Sequence, residues 1–318
     1  MSFDFDAAVT APFRMQPGLR RLPPGSLHLT PAGAGSRHQR EKLAVLCAFA
    51  GQALLARPGF DPLPALRTLA AQAAAEHPGW FRWDGAHAQA LGVRVAADGH
   101  TLEELAPGPF GLGDEVARCL RGLSPAWRLA GLLSLAFAED FAIVDGAQGT
   151  VPWLAVALPS HWAPEDKVGL HFAQVHAPVA DNALLQAAGE RLAALVCGPD
   201  RFERFVWNVS TQPRLHAHPQ RSAREDWPGP GPQHAQRLAE AAWWRTERQT
   251  FIPLPEVRQA VFTILVEVTP LARAIDRPAR AQALHAALSS MSPAVLDYRG
   301  LAPARDGLLA WLDSRATP

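Results

Sequence analysis

The sequence predicts an α+β protein, an antiparallel five-stranded sheet with helices on one face, carried between helical N- and C-terminal extensions. Three observations lead there. Alanine and leucine recur at helical spacing through much of the first third. The middle of the chain holds five β-rich runs in the order strand-strand-helix-strand-strand-strand, without the β-α-β alternation of a parallel sheet. The last fifty or so residues, about 271–318, return to helical periodicity. The expected division is a mainly helical region over 1–133, a sheet core over 134–270 and a helical extension over 271–318.

Taken in order, residues 1 to about 36 are rich in proline and glycine, with little periodicity, and are expected to wrap over another surface. Helical spacing covers 39–55 and 62–76, and shorter helices are expected at about 114–123 and 125–130. "DFAIV" (140–144) and "VPWLAVAL" (151–158) read as two strands joined by the glycine-containing turn "DGAQGT". An amphipathic helix over 181–196 follows, with Asp181 or Asn182 as its N-cap. "RFVWNVS" (204–210) is a strand, and 213–232 is a Pro/Gly-rich loop before a short helix at 233–242. Strands at 243–251 and 260–268 close the core, with Pro253 and Pro255 in their connection. The helical tail is broken near "SPAVLDYRG" ahead of a last helix, "RDGLLAWL".

Composition narrows the chemistry. A hydrophobic fraction of 48%, 19% charged residues and a formal net charge of zero describe a folded globular chain with no electrostatic bias towards nucleic acid or an anionic membrane. Of the 30 basic residues only Lys42 and Lys167 are lysines, which leaves little for Schiff-base or phosphate-loop chemistry. Three widely spaced cysteines form no Cys-x-x-Cys pair and no disulfide framework, as expected of a cytoplasmic protein. The N-terminus lacks the apolar core of a signal peptide, and no apolar run is suited to spanning a bilayer. Gly-x-Gly-x-x-Gly after a strand, His-Glu-x-x-His, a nucleophile elbow and a phosphate loop are all missing, which sets aside a self-contained nicotinamide or nucleotide enzyme.

The charged strand "WWRTERQT" (243–250) remains, together with a few histidines. In a strand, Arg245, Glu247 and Gln249 share one face, and Thr246, Arg248 and Thr250 the other. Such a row is either a salt-bridged structural edge or the wall of a pocket that holds carboxylates through arginine and a cation through glutamate. His216 and His218 in "LHAHP" would share a strand face as a metal pair, though no carboxylate or cysteine accompanies them at fitting spacing, and a plain surface loop is the competing reading. His171 and His176 are five apart, about 140° on a helix, and so would not ligate one ion together.

Several of these stretches together resemble the haem-dependent oxidative N-demethylase family. "QVHAPVADN", "VWNVS", "RTERQTFIPLP" and "SPAVLDYRGLAPARDGLLAWL" follow one another in that family's order, and "APFRMQPGLRRL" and "AEDFAIV" resemble its earlier motifs. The resemblance implies a PAS-like core that binds haem b, and demethylation of a small secondary amine such as dimethylamine with O2. It also implies electrons from a separate flavin and iron–sulfur reductase, and so a hetero-oligomeric assembly. It makes His176 the axial iron ligand, places Arg245, Glu247 and Asn208 in catalysis, and places Arg248 and Gln249 at the cofactor, with only one of the two arginines expected to reach it. Ala180, where the family motif has proline, and the altered stretch after Asn208 bear on the substrate pocket more than on haem. The alternatives are a haem-PAS protein that senses or carries a diatomic ligand without turnover, and a metal-dependent hydrolase built on His216 and His218.

Overall fold

The computed structural model describes residues 3–175, 177–222 and 226–316. Its strands, in chain order, are β1 (Arg20–Arg21), β2 (Leu54–Ala56), β3 (Arg82–Trp83), β4 (His87–Ala90), β5 (Val93–Ala96), β6 (Leu102–Glu104), β7 (Asp140–Asp145), β8 (Thr150–Ala155), β9 (Phe202–Ser210), β10 (Trp243–Leu254) and β11 (Gln259–Pro270). A seven-stranded sheet runs in the order β1-β9-β10-β11-β7-β8-β2, with every pairing antiparallel. The five expected strands form its centre. The edge strands β1 and β2, two and three residues long, make it seven, and segments that short carry no periodicity for a sequence to show.

A second, four-stranded sheet, β3-β4-β5-β6, lies within the first third, where only helices were expected. Its strands are two to four residues long, below the length at which alternation becomes legible.

Helices cover both faces of the large sheet rather than one. On one face, leucines of Leu63–Glu76 and Pro125–Ala136 share an apolar cluster with Ile143, Trp153, Ile252 and Val261. On the other, Ala193 and Val196 of the helix Ala183–Val196 pack with Val144, Phe251 and Ala260. Asn182 is that helix's N-cap. A third cluster joins Pro278–Ser289, Pro293–Arg299 and Arg305–Ala316 to Trp207 and Trp244.

Two local sequences behave differently from expectation. "SPAVLDYRG" is a helix, not a break: the Ser292 hydroxyl accepts from Val295 N at 3.2 Å, Pro293 occupies the first turn, and Gly300 at φ 69° ends it. β10 runs on through Pro253 to Leu254. Its pairing with β9 ends at Phe251, so Pro253 is flanked by β11 alone and its missing N–H is tolerated. Among the described residues no helix is long and apolar enough to cross a membrane.

Candidate functional site

Alternation along β9 and β10 builds one wall of a cavity of about 410 Å3. That volume lies within the roughly 300–1,000 Å3 of small-molecule and cofactor sites. Arg204, Val206 and Asn208 of β9 and Arg245, Glu247, Gln249 and Phe251 of β10 line it, as period two requires. Ala142, Val144, Phe262 and Ile264 extend the wall across β7 and β11. The opposite side comes from distant parts of the chain: Met15 and Leu19, then Phe172, Val175, Leu192 and Val196, then Tyr298 and Arg299. Most of this lining is apolar, with a few cationic and amide groups set into it.

The charged row is therefore a pocket wall. Its members do unequal things. Arg245 is 2% exposed and spends four of its five N–H groups on the scaffold. Nε donates to Ser160 Oγ at 2.8 Å, Nη1 to Arg214 O at 2.9 Å, and Nη2 to Pro159 O and Leu215 O. Burial brings its pKa down to about 10, the Glu247 carboxylate partly opposing. Arg245 thus borders the cavity while clamping the 157–160 and 213–217 segments to the sheet; expected as catalytic, it is first a tie-rod.

Glu247 and Gln249 are neighbours on the wall, the Gln249 amide donating to Glu247 Oε2 at 2.6 Å. Asn208, registered opposite Arg245, donates from Nδ2 to Arg299 O at 3.5 Å, and its buried Oδ1 has no partner among the described residues.

Arg248, expected at the cofactor, lies on the other face. Its Nε meets Glu203 Oε2 at 3.1 Å and its Nη1 donates to Leu27 O at 3.0 Å, both ends of the ion pair being buried. The odd offset from Arg245 reverses its direction, so the arginine that borders the cavity is Arg245.

His176 lies outside the described residues. Val175 before it and Pro178 and Val179 after it line the cavity. The His216–His218 pair does not converge on a metal: His216 Nδ1 lies 2.7 Å from Ala157 O, and His218 Nε2 lies 3.0 Å from Glu165 Oε2. Their rings stack nearly parallel 6.1 Å apart. Among the described residues no group of three or more His, Cys, Asp or Glu is placed to hold an ion.

Two cavity arginines were not singled out from sequence. Arg204 is on the same strand face as Asn208, so the period of "RFVWNVS" carried that signal. Its Nε has no hydrogen-bond partner among the described residues, and burial lowers its pKa against the pull of Glu247. Arg299 is 91 residues away from Asn208 in sequence and nothing local points to the cavity. Its guanidinium packs against the rings of Phe13 and Trp207, 4.5 and 5.0 Å from their centroids, with Nη1 donating to Trp207 O at 2.6 Å. Burial lowers its pKa to about 10, and its Nε is also without a partner among the described residues.

Buried guanidinium N–H groups without acceptors are costly unless something anionic meets them. A large apolar chamber with such groups in its wall suits an amphipathic prosthetic group: apolar through its body and carboxylate-bearing at its edge. Haem has that form, and the residues present fit it. The fold and site together define a cofactor-binding protein with a chamber built against an antiparallel sheet.

Residues 67–309, well over half of the chain, match the model of the family described as haem-dependent oxidative N-demethylase, alpha subunit-like. The chain belongs to that family, and with it to the haem-dependent oxidoreductases.

Proposed function

We propose that the protein, built on a PAS-like core, demethylates a small secondary amine with dioxygen. One N-methyl group, O2, two electrons and two protons give the demethylated amine, formaldehyde and water. The electrons come from a separate flavin and iron–sulfur reductase, with which the chain works as a hetero-oligomer in the cytoplasm. The observation that carries this reading is the polar set on an otherwise apolar chamber wall, Glu247 held by Gln249 near Arg204 and Arg299, whose Nε groups have no partner among the described residues.

Haem b supplies the redox chemistry that activates dioxygen. His176, whose flanking residues Val175 and Pro178 line the cavity, would hold the iron through one ring nitrogen, its other nitrogen needing an orienting acceptor. Arg299 and Lys167 are the cations suited to the propionates. Glu247 receives the substrate ammonium and positions its N-methyl group; Gln249 fixes the carboxylate's orientation. The apolar remainder excludes bulk water, which strengthens that contact.

The test is an absorption spectrum of purified wild type and His176→Ala, with and without dithionite and carbon monoxide, followed by formaldehyde release from amine under reducing conditions. A Soret band that responds to both reagents in wild type and is lost or displaced in the variant is expected. Glu247→Gln should keep that band and lose 100-fold or more in formaldehyde release, on the order expected for a group acting on the reacting amine. A haem-loaded protein that binds amines and releases no formaldehyde would sink the enzyme reading.

A further inference from the structure

Arg204 and Glu247 stand diagonally across the β9–β10 pair, since Arg204 is registered with Gln249 and Glu247 with Val206. Diagonal neighbours on a sheet lie about 7–8 Å apart at the backbone, within reach of long side chains. Both side chains face the cavity. They are close enough for Glu247 to act on Arg204 electrostatically, yet they form no ion pair within 4.0 Å. Glu247 is held by Gln249 instead, and Arg204 makes no side-chain hydrogen bond among the described residues. A half-buried carboxylate and a half-buried guanidinium on one cavity wall, attracting each other across a gap, are complementary to a molecule that carries the opposite two charges a short distance apart.

The charge balance points the same way. Among the described residues, Arg204, Arg245, Arg299 and Lys167 line the cavity against the single carboxylate of Glu247, a formal surplus of three positive charges. Two haem propionates leave that surplus unfilled. A purely cationic amine would add to it in a low-dielectric site, whereas a zwitterion adds nothing net.

We infer that the amine processed here carries its own carboxylate: an N-methyl amino acid, its ammonium on Glu247 and its carboxylate on Arg204. The inference rests on the N-demethylase reading for the fate of the methyl group. That group's carbon is oxidised and leaves as formaldehyde, the nitrogen keeps the bonding electron pair, and the products are the free amino acid, formaldehyde and water. The oxidant is O2, with two electrons from the reductase.

Isothermal titration calorimetry on the full-length protein tests the site with three probes, N-methylglycine, its methyl ester and dimethylamine, while haem content is measured separately. N-methylglycine is expected to bind at least tenfold more tightly than the other two. Arg204→Met should erase that advantage with dimethylamine binding and haem content unchanged. Equal affinities for the three probes in wild type would overturn the inference, and this comparison needs no variant to fold. So would a loss of haem in Arg204→Met that disappears when haem dimethyl ester is supplied, because Arg204 would then serve a propionate. A wild-type protein without a Soret band that still prefers N-methylglycine would overturn the N-demethylase reading and leave the zwitterion site standing.

Discussion

One position of offset separates Arg245 from its neighbours' fates. Odd positions from 245 to 251 line the cavity, while Arg248 turns away to Glu203. That division was legible in "WWRTERQT"; which arginine faced inward was not, because period two fixes the partition and not its direction. The role of Arg245 was also hidden, since its acceptors are carbonyls of segments 30 and 86 residues away in sequence. Arg245→Met leaves the Arg214 and Leu215 carbonyls and the Ser160 hydroxyl without this donor in a buried place, and leaves Pro159 O to Ala217 N alone. It should cost at least about 3 kcal/mol in urea unfolding, with lost protection from proteolysis in the 213–217 segment as the local sign. A variant as stable as wild type would show that those carbonyls find other donors.

At the scale of elements, β10 is the member that every layer uses. It pairs with β9 and β11, presents Glu247 to the cavity and holds Arg248 to Glu203 and Leu27 on its reverse. Both side chains of that ion pair are about 95% buried. Glu203 Oε1 also meets the half-exposed Arg20 at 2.9 Å, so Arg248→Met removes the buried one of its two cationic partners and should destabilise by about 1–3 kcal/mol. The double variant with Glu203→Leu should recover a large part of the loss, as chemical denaturation of the three proteins would show. Long elements such as Leu63–Glu76, Ala183–Val196, β9 and β11 were readable because their periods run for two or more repeats. The small sheet β3–β6 and the edges β1 and β2 were not, being held by pairing partners rather than by an amphipathic pattern of their own.

The whole molecule carries buried ionisable groups far from the cavity row, and they set its response to pH. Glu139 is 1% exposed, and burial raises its pKa to about 7, against the hydrogen bond it accepts from Thr30 N. The folded state therefore holds this proton more firmly than the unfolded chain does. The resulting stability is complete below about pH 4.5 and is lost as pH rises through about 7. Glu76 behaves oppositely. Burial alone would oppose its ionisation, but hydrogen bonds from the His28 side chain and backbone, Gln72 and Leu29 outweigh it and hold the pKa at about 2. Its contribution is present above about pH 4.5 and lost as pH falls towards 2. Thermal melts of Glu139→Gln should show less loss of stability between pH 5 and 8 than wild type, by a margin on the order of 3 kcal/mol. An identical slope in the two proteins would mean that Glu139 is ionised throughout.

The chamber also has a timetable. Its sheet wall is complete once β11 has been made, but Tyr298 and Arg299 leave the ribosome after it, and Met15 and Leu19 well before it. A nascent chain stalled before Tyr298 presents an open trough with an apolar floor, unable to keep what it catches. Retention of the prosthetic group thus separates chains extended past Arg299 from those released before it.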